Sequence, residues 1–474
     1  MKLNKYIFSL LCLLLMTSLS VAQSYKVITV PAPGELDNNL DDDWDEMDSI
    51  VVKGTINKAD FRTLYNCARF GKLTVINLEY ATIENNTIPE YALYYPDVTF
   101  DFLNIRRVIL PDNVVEIGRF AFTNSRIQEI NLPASLKKLS DGLFWRCEWF
   151  SANPLVIPEG ITEIPNNCFS GCKAFKKLVL PQSLKKIGAW AFYDTRMEEM
   201  NLPEGLENIR EYAFFASEKL KEIVIPGTVT NLGDGCFQET FSLQSITLSQ
   251  NITEIPVSFL ERNKNLTSLV IPDNVTVIHD NAFYGPIKEV QMSKNLKRIG
   301  KDAFRENFLT EVVLPVSIEY IDQGAFRLSD FLERVYCMAK TPPMTAYYNI
   351  NNDNESYEPF CIFQSNKDLT LYVPVGSGDL YRESPYWVDF DNIVETNDFP
   401  SSVGRASATD CQITSFGGEI RVDNPTDMPV SVNIYAINGS LVRQEKVVGT
   451  FALTVSPGIY LVKVNDKAQK VLVE

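Results

Sequence analysis

The sequence predicts a β-rich solenoid: a leucine-rich repeat array with a parallel β-sheet, an N-terminal α+β cap and a small C-terminal antiparallel β-sandwich. Two internal rhythms predict it. A Leu-Pro or Ile-Pro pair recurs with its proline at Pro111, Pro133, Pro158, Pro181, Pro203, Pro226, Pro272 and Pro315, with Ser249 and Ser293 in the same slot, at steps of 21 to 25 residues. A phenylalanine keeps the same beat, at Phe122, Phe144, Phe169, Phe192, Phe214, Phe237, Phe259, Phe283, Phe304 and Phe326. A period of roughly 20–29 residues rich in leucine-like positions marks a leucine-rich repeat, and such arrays present extended binding surfaces.

The segments follow in order. Residues 1–22 read as a signal peptide: Lys2 and Lys5, an apolar run from Ile7 to Met16, and the small-residue site Ser20-Val21-Ala22. The mature chain is expected to begin near Gln23, and no other run is long enough to span a bilayer. Residues 23–100 break the rhythm and are placed to cap the first core layer, with Asn57 as a helix cap. Residues 101–395 hold about 11 repeats, the last one degenerate and interrupted by the polar stretch Tyr347 to Tyr357. Residues 396–411, rich in Ser, Ala, Asp and Asn, read as a linker. Residues 412–474 alternate apolar and polar, and Asn438-Gly439 is a hairpin signal.

One repeat shows the physics. In Leu220-Lys221-Glu222-Ile223-Val224-Ile225-Pro226, Ile223 and Ile225 share one strand face while Glu222 and Val224 take the other. The proline cannot donate to a ladder and ends the strand. Val229, Leu232 and Phe237 turn inward on the return limb, and Gly233 is expected in a turn where a positive φ is cheap. Successive strands are expected to pair in parallel at about 4.8 Å. The residue before the repeat phenylalanine is small: Ala121, Ala191, Ala213, Ala282, Ala303 and Ala325, with Cys168 and Cys236 in the same slot. Cys147 and Cys172 follow their phenylalanines by three residues and are expected to stack as free thiols. Eight cysteines remain after signal cleavage. Filler thiols are expected rather than a disulfide framework. Cys168 and Cys172 are spaced C-x3-C, but no second ligand pair follows for zinc.

The Leu-Pro…Ile-Gly…Ala-Phe unit resembles the BspA-type leucine-rich repeat of bacterial surface proteins, over about residues 45–395. The likeness includes Gly54-Thr55-Ile56-Asn57-Lys58-Ala59-Asp60-Phe61 and the closing Tyr372-Val373-Pro374, Tyr381 and Trp387. It implies a surface protein tied to adhesion and host-protein binding. The tail, through Ile434-Tyr435-Ala436-Ile437-Asn438-Gly439, Pro457-Gly458-Ile459-Tyr460-Leu461-Val462-Lys463-Val464 and Lys470-Val471-Leu472-Val473, is similar to the sorting domains of type IX secretion in Bacteroidetes. It implies export to the cell surface (outer membrane) or the extracellular space.

Removing Lys2 and Lys5 leaves 42 basic against 60 acidic residues, a net charge of −18. Such a surface argues against nucleic acid or anionic membrane as a partner. No HExxH, P-loop or GxSxG occurs. His279, the only histidine, fills the turn slot held elsewhere by Gly118, Gly188 and Gly300. The run Asp37 to Asp48 has alternating oxygen ligands, but Asp42 stands where an EF-hand loop needs glycine. Glu198-Glu199 lies on a regular strand, where charge keeps an open sheet soluble. No catalytic residue, metal or cofactor is expected.

The candidate site is therefore the outward strand face. One stripe holds Val156, Val179, Asn201, Val224, Thr247, Val270, Gln291, Val313 and Tyr336. Its neighbour holds Glu129, Lys177, Glu199, Glu222, Ser245, Ser268, Glu289, Glu311 and Arg334. The ligand-binding residues expected are Glu199, Glu222, Val224, Thr247, Val270, Glu289, Glu311, Val313 and Tyr336, facing an extracellular protein or peptide with a basic patch, a host matrix protein among the candidates. The competing explanation is that β-branched residues stand there for strand propensity. Sparse aromatics on these stripes argue against sugar stacking. The rival functions are a secreted enzyme or accessory protein acting on glycans or peptides, and a structural envelope component without a ligand. The sequence does not fix the oligomeric state.

Overall fold

The computed structural model describes residues 24–96, 102–151, 154–345, 362–363, 369–384, 387, 390–400, 411–416, 418–424, 430–436, 441–447, 449–464 and 467–473. The signal peptide, Tyr347 to Tyr357, Cys361, Asn438-Gly439 and residues 401–410 lie outside them. The chain divides into two compact units, residues 1–397 and 398–474.

The first unit is a parallel β-solenoid of short strands. Its sheet begins with β1 (Tyr25–Val30) and β2 (Ser49–Ile56), paired in parallel, and continues through Val75–Asn77, Arg107–Ile109 and Glu129–Ile130. Helix α1 (Lys58–Phe70) follows β2. Asn57 caps it as expected: its Oδ1 accepts from Ala59 N at 2.9 Å, while Asp60 Oδ2 accepts from Asn57 N at 2.8 Å. That reciprocal box fixes the helix start. Asp60 also accepts from Gly34 N at 2.7 Å and Leu36 N at 2.8 Å, tying the β1–β2 connection to the helix.

Beyond residue 110 most coils have two short strands. Strands such as Glu222–Val224 and Ser245–Thr247 carry the outward face. The Ile-Gly stretch forms a second ladder on the return limb, for example Glu163–Ile164, Lys186–Ile187, Asn208–Ile209 and Asn231–Leu232. The outward strands do not make one unbroken sheet. Glu222–Val224 pairs only with Ser245–Thr247, and Ser268–Val270 only with Glu289–Gln291. Strands of two or three residues, each stopped by its proline or serine, carry too few ladder bonds to span every coil.

The core is a column of aromatic rings. Phe122, Phe144, Phe169, Phe192, Phe214 and Phe237 are fully buried, and successive rings stack at 5.0 to 5.8 Å between centroids. The small residue before each ring is buried too, including Ala303, Cys168 and Cys236. The expected beat fails at one coil. Phe237 N donates to Phe259 O, and Leu260 N to Ala282 O. Phe259 therefore stands in the small-residue slot and Leu260 in the ring slot. Counting five residues from the preceding Ile255 gives the same register, as Ile187 does for Phe192. Phe259 accordingly meets Phe237 and Phe283 edge-on, at 87° and 85°, instead of stacking. The column resumes and passes the insertion, since Phe326 stacks on Phe363 at 5.1 Å. Tyr381 and Trp387, both fully buried, close it. Tyr381 OH donates to Ala339 O at 2.8 Å, and Trp387 Nε1 to Pro343 O at 3.1 Å.

A polar ladder runs beside the rings. Three residues after most ring slots, a buried donor reaches the ring residue's carbonyl one coil back. Cys147 Sγ bonds Phe122 O at 3.1 Å, Cys172 Sγ bonds Phe144 O at 3.2 Å, and Ser217 Oγ bonds Phe192 O at 3.1 Å. Asn263 Nδ2 and Ser329 Oγ do the same for Phe237 and Phe304. Cys147 and Cys172 are free, as are the buried Cys67, Cys168, Cys236 and Cys337. Burial pushes the Cys147 thiol up to about 11, so it stays protonated and donates.

The expected role of Gly233 is corrected. It has no positive φ. An added Cβ would lie 2.3 Å from Glu211 N of the preceding coil, so close backbone approach selects glycine there. The left-handed residue comes two positions later, at Phe120, Asn167, Trp190, Tyr212, Gly235, Asn281 and Asp302. That conformation costs a non-glycine residue about 1–2 kcal/mol.

The second unit has two antiparallel sheets. Gln412–Phe416, Glu419–Asn424 and Gly449–Thr454 form one; Leu441–Val447, Val430–Ala436, Gly458–Val464 and Lys467–Val473 form the other. They enclose a separate core including Ile420, Val432, Ile434 and Val462.

Two predictions follow from this packing. Ala303→Asp places an unpaired carboxylate in the ring column and should lower stability by roughly 3 kcal/mol or more, read by thermal melting. An unchanged melt would remove the small-residue slot from the core. Cys147→Ser keeps a donor, as Ser217 shows. Cys147→Val removes one of the two donors to the Phe122 carbonyl, which keeps Ser125 Oγ at 2.7 Å, and should cost about 0.5–1.5 kcal/mol more than the serine variant. In the parent, an unfolded thiol ionises near its ordinary 9.0 while the folded one resists to about 11. Its contribution is therefore complete below pH 9 and declines toward pH 11. Alkaline melts of parent and Cys147→Ser should diverge only in that window.

Candidate functional site

The outward side chains fall into two rows because strand residues alternate. In the apolar row, Val156 registers with Val179, Val224 with Thr247, and Val270 with Gln291. At the far end Val313, Tyr336, Tyr372 and Val394 are consecutive neighbours. Val224 is 63% exposed and Val270 50%, while Val313 and Tyr336 are half-buried. Their strand neighbours Ile223, Leu269 and Val312 are buried. The structure thus places every expected ligand-face residue on one surface of the solenoid strands.

The charged row is less acidic than its composition suggests. Lys177 Nζ lies 3.1 Å from Glu199 Oε2, and Arg334 Nε 3.3 Å from Glu311 Oε2. Glu222 and Glu289 have no ion-pair partner among the described residues. The free negative charge of the row therefore concentrates at these two carboxylates. Exposed pairs like the other two contribute about 0–1 kcal/mol each, so they shape the potential more than the stability.

Tyr372 was missed. Its ring stacks on Tyr336 at 4.6 Å and 18°, giving the face its one aromatic pair among the described residues. Arg334 sits on the adjacent row, and Asn392 Nδ2 bonds Thr370 Oγ1 at 2.9 Å. The alternation Leu369-Thr370-Leu371-Tyr372 carried the signal, but the insertion before it displaced the count from the regular step. The row also extends the other way, through Val51 and the half-exposed Val27 of β2 and β1.

The remaining sequence candidates take structural positions. His279 Nε2 is 2.8 Å from Glu254 Oε2 in an exposed pair on the return limb. Glu198 pairs with Lys176 at 3.2 Å. The acidic run forms two short 3-10 turns, with Lys26 bridging Asp41 and Asp43 and the flanking Leu36 and Met47 fully buried. A lysine already occupies its carboxylate cluster. Among the described residues no group of three or more His, Cys, Asp or Glu is placed to hold a metal ion, and no helix is long and apolar enough to cross a membrane.

The BspA type leucine-rich repeat region matches in six copies, over residues 77–153, 148–266 and 258–352. These cover more than half of the chain, which belongs to that family. Among solved structures it is similar to a leucine-rich repeat protein from Bacteroides ovatus, at 21% identity over 62% of this chain and 70% of that one, with a TM-score of 0.44. It is similar to a leucine rich cell surface protein from Faecalibacterium prausnitzii, at 18% identity over 74% and 84% of the two chains, TM-score 0.35. It is also similar to the pneumococcal vaccine antigen PcpA, at 15% identity over 80% and 91%, TM-score 0.31. No curated protein matches the chain. The family carries the assignment: a solenoid of a typically non-enzymatic kind that fits a binding or adhesion role.

Inside and outside of the strand are testable at adjacent positions. Val224→Asp should change stability by under about 1 kcal/mol, because the side chain already meets water. Ile223→Asp should lose roughly 3 kcal/mol or more by burying an unpaired charge. Equal effects in denaturant titrations would refute the assigned faces.

Proposed function

We propose that this chain is an exported, cell-surface or extracellular, non-enzymatic binding protein whose open strand face holds an extended segment of a protein partner. The observation that carries this reading is the outward row from Val156 to Val394, in which exposed valines lead to the half-buried, stacked Tyr336–Tyr372 pair. Strand propensity favours valine and a cross-strand tyrosine pair alike; tyrosine and arginine are also the residue types that dominate interface energetics. The unpaired Glu222 and Glu289 favour a partner with lysine or arginine flanking an apolar stretch. Support for the extracellular setting comes from the signal-peptide pattern of residues 1–22. The tail is read as the export or attachment module, from its sorting-domain likeness.

The test is a pull-down of the full chain against extracellular host proteins, followed by charge reversal. Glu222→Lys combined with Glu289→Lys should weaken the captured partner about tenfold or more. Lys177→Glu should change affinity far less, since it adds negative charge to a row already selective for bases. Removing residues 398–474 should leave binding intact and abolish surface display. Binding that follows residues 412–474, or display unchanged without them, would reject this division of roles.

A further inference from the structure

We propose that the return-limb corner around Trp190 is a second binding site, for a neutral polysaccharide chain. Four aromatic side chains from two adjacent coils meet there, away from the open strand face. Trp190 stacks on Tyr212 at 4.4 Å and 22°, and Tyr193 stacks on Phe215 at 5.5 Å and 20°. Trp190 and Tyr193 meet edge-on at 5.3 Å. Trp190 is 36% exposed, and the other three are half-buried.

Trp190 and Tyr212 stand at the left-handed corner, with φ of 58° and 54°. In other coils the same corner holds Phe120, Asn167, Gly235, Ser258, Asn281, Asp302 and Gly324. Asparagine and glycine accept this geometry readily, and bulky aromatics do not. Trp190 and Tyr212 break the local rule in consecutive coils, as Phe120 does beside Trp145, and such departures gather at ligand sites.

The coil before the cluster carries Asn167 and Ser170 in the equivalent slots, and the coil after it carries Gly235 and Gln238. The rings therefore form a bounded patch. Beyond Asn167, Trp145 is 37% exposed and meets Phe120 at 6.2 Å in an edge contact. Two coils separate Trp145 from Tyr193, about 10 Å at the strand spacing of a parallel stack. A linear chain of sugar rings laid along the solenoid axis reaches both groups.

The carboxylates at the rim already have partners: Lys173 with Asp194 at 3.1 Å, Arg210 with Glu211 at 3.1 Å, and Arg196 with Glu218 at 3.7 Å. A basic peptide finds no free carboxylate in those pairs, and the net charge of −16 repels acidic polymers. Pyranose rings fit both features. Their C–H faces pack on aromatic rings. Their hydroxyls bond to paired carboxylates and guanidinium groups without needing a net charge.

Affinity electrophoresis of the full chain tests the site, in gels containing galactomannan, xyloglucan, mixed-linkage β-glucan or yeast mannan, with heparin as the acidic control. At least one neutral polymer should retard the parent, and heparin should not. Trp190→Asn with Tyr212→Gly installs residues found at this corner in neighbouring coils. It should raise the apparent Kd at least tenfold while the melting temperature stays the same or rises. If that variant loses its melting transition, Tyr193→Ser, matching Ser170, decides by the same gel. Retardation by none of the neutral polymers, retardation by heparin alone, or unchanged retention in the folded variant would overturn the proposal. None of these outcomes bears on the open strand face.

Discussion

Each coil depends on its neighbour to cover its ring and to bond its carbonyls. A single unit of about 22 residues cannot bury Phe192 by itself; Phe169 and Phe214 do so from the coils on either side. The carbonyls beside those rings sit where water does not reach. Donors from the next coil, such as Ser217 and Thr240, meet them. This reciprocal demand gives a linear array its cooperativity and makes each interface, rather than each coil, the unit of stability. It also frees the outer strand positions, because nothing structural depends on what side chain Val224 or Thr247 presents.

The same demand explains what the ends look like. Leu36 and Met47 cover the first layer from the β1–β2 connection, held by Asp60 and by Lys26. At the other end Tyr381 and Trp387 bury their rings and spend their polar groups on the carbonyls of Ala339 and Pro343. Burial raises the Tyr381 phenol well above its ordinary pKa, so it serves as a fixed donor. Neither end leaves an apolar layer open to solvent among the described residues.

Much of this was legible because apolar spacing is the cause of the fold. The inward residues of Ile223 and Ile225, the small slot at Ala303 and the filler thiols at Cys168 and Cys236 follow from spacing alone. Errors arose where one coil obeyed a different count. Phe259 looked like a ring-slot residue because its identity matched, while its distance from Ile255 placed Leu260 there. Gly233 looked like a turn glycine, but the neighbouring coil's backbone, invisible in a single repeat, selects it. On the face, row membership was readable and charge was not. Whether Glu199 is free depends on Lys177 one coil away, which only the register reveals. The carbonyl ladder was hidden because serine, threonine, cysteine and asparagine share its slot, and one property, a short donor, unites them.

The central functional claim is that the open strand face holds the protein partner. Hydroxyl-radical footprinting of the full chain, free and bound to a captured partner, tests it residue by residue. The account predicts protection of Val224, Val270, Tyr336 and Tyr372, with Trp190 and the strands of residues 412–473 unchanged. Protection confined to the tail or to the return limb, with those four residues labelled equally in both states, would contradict it.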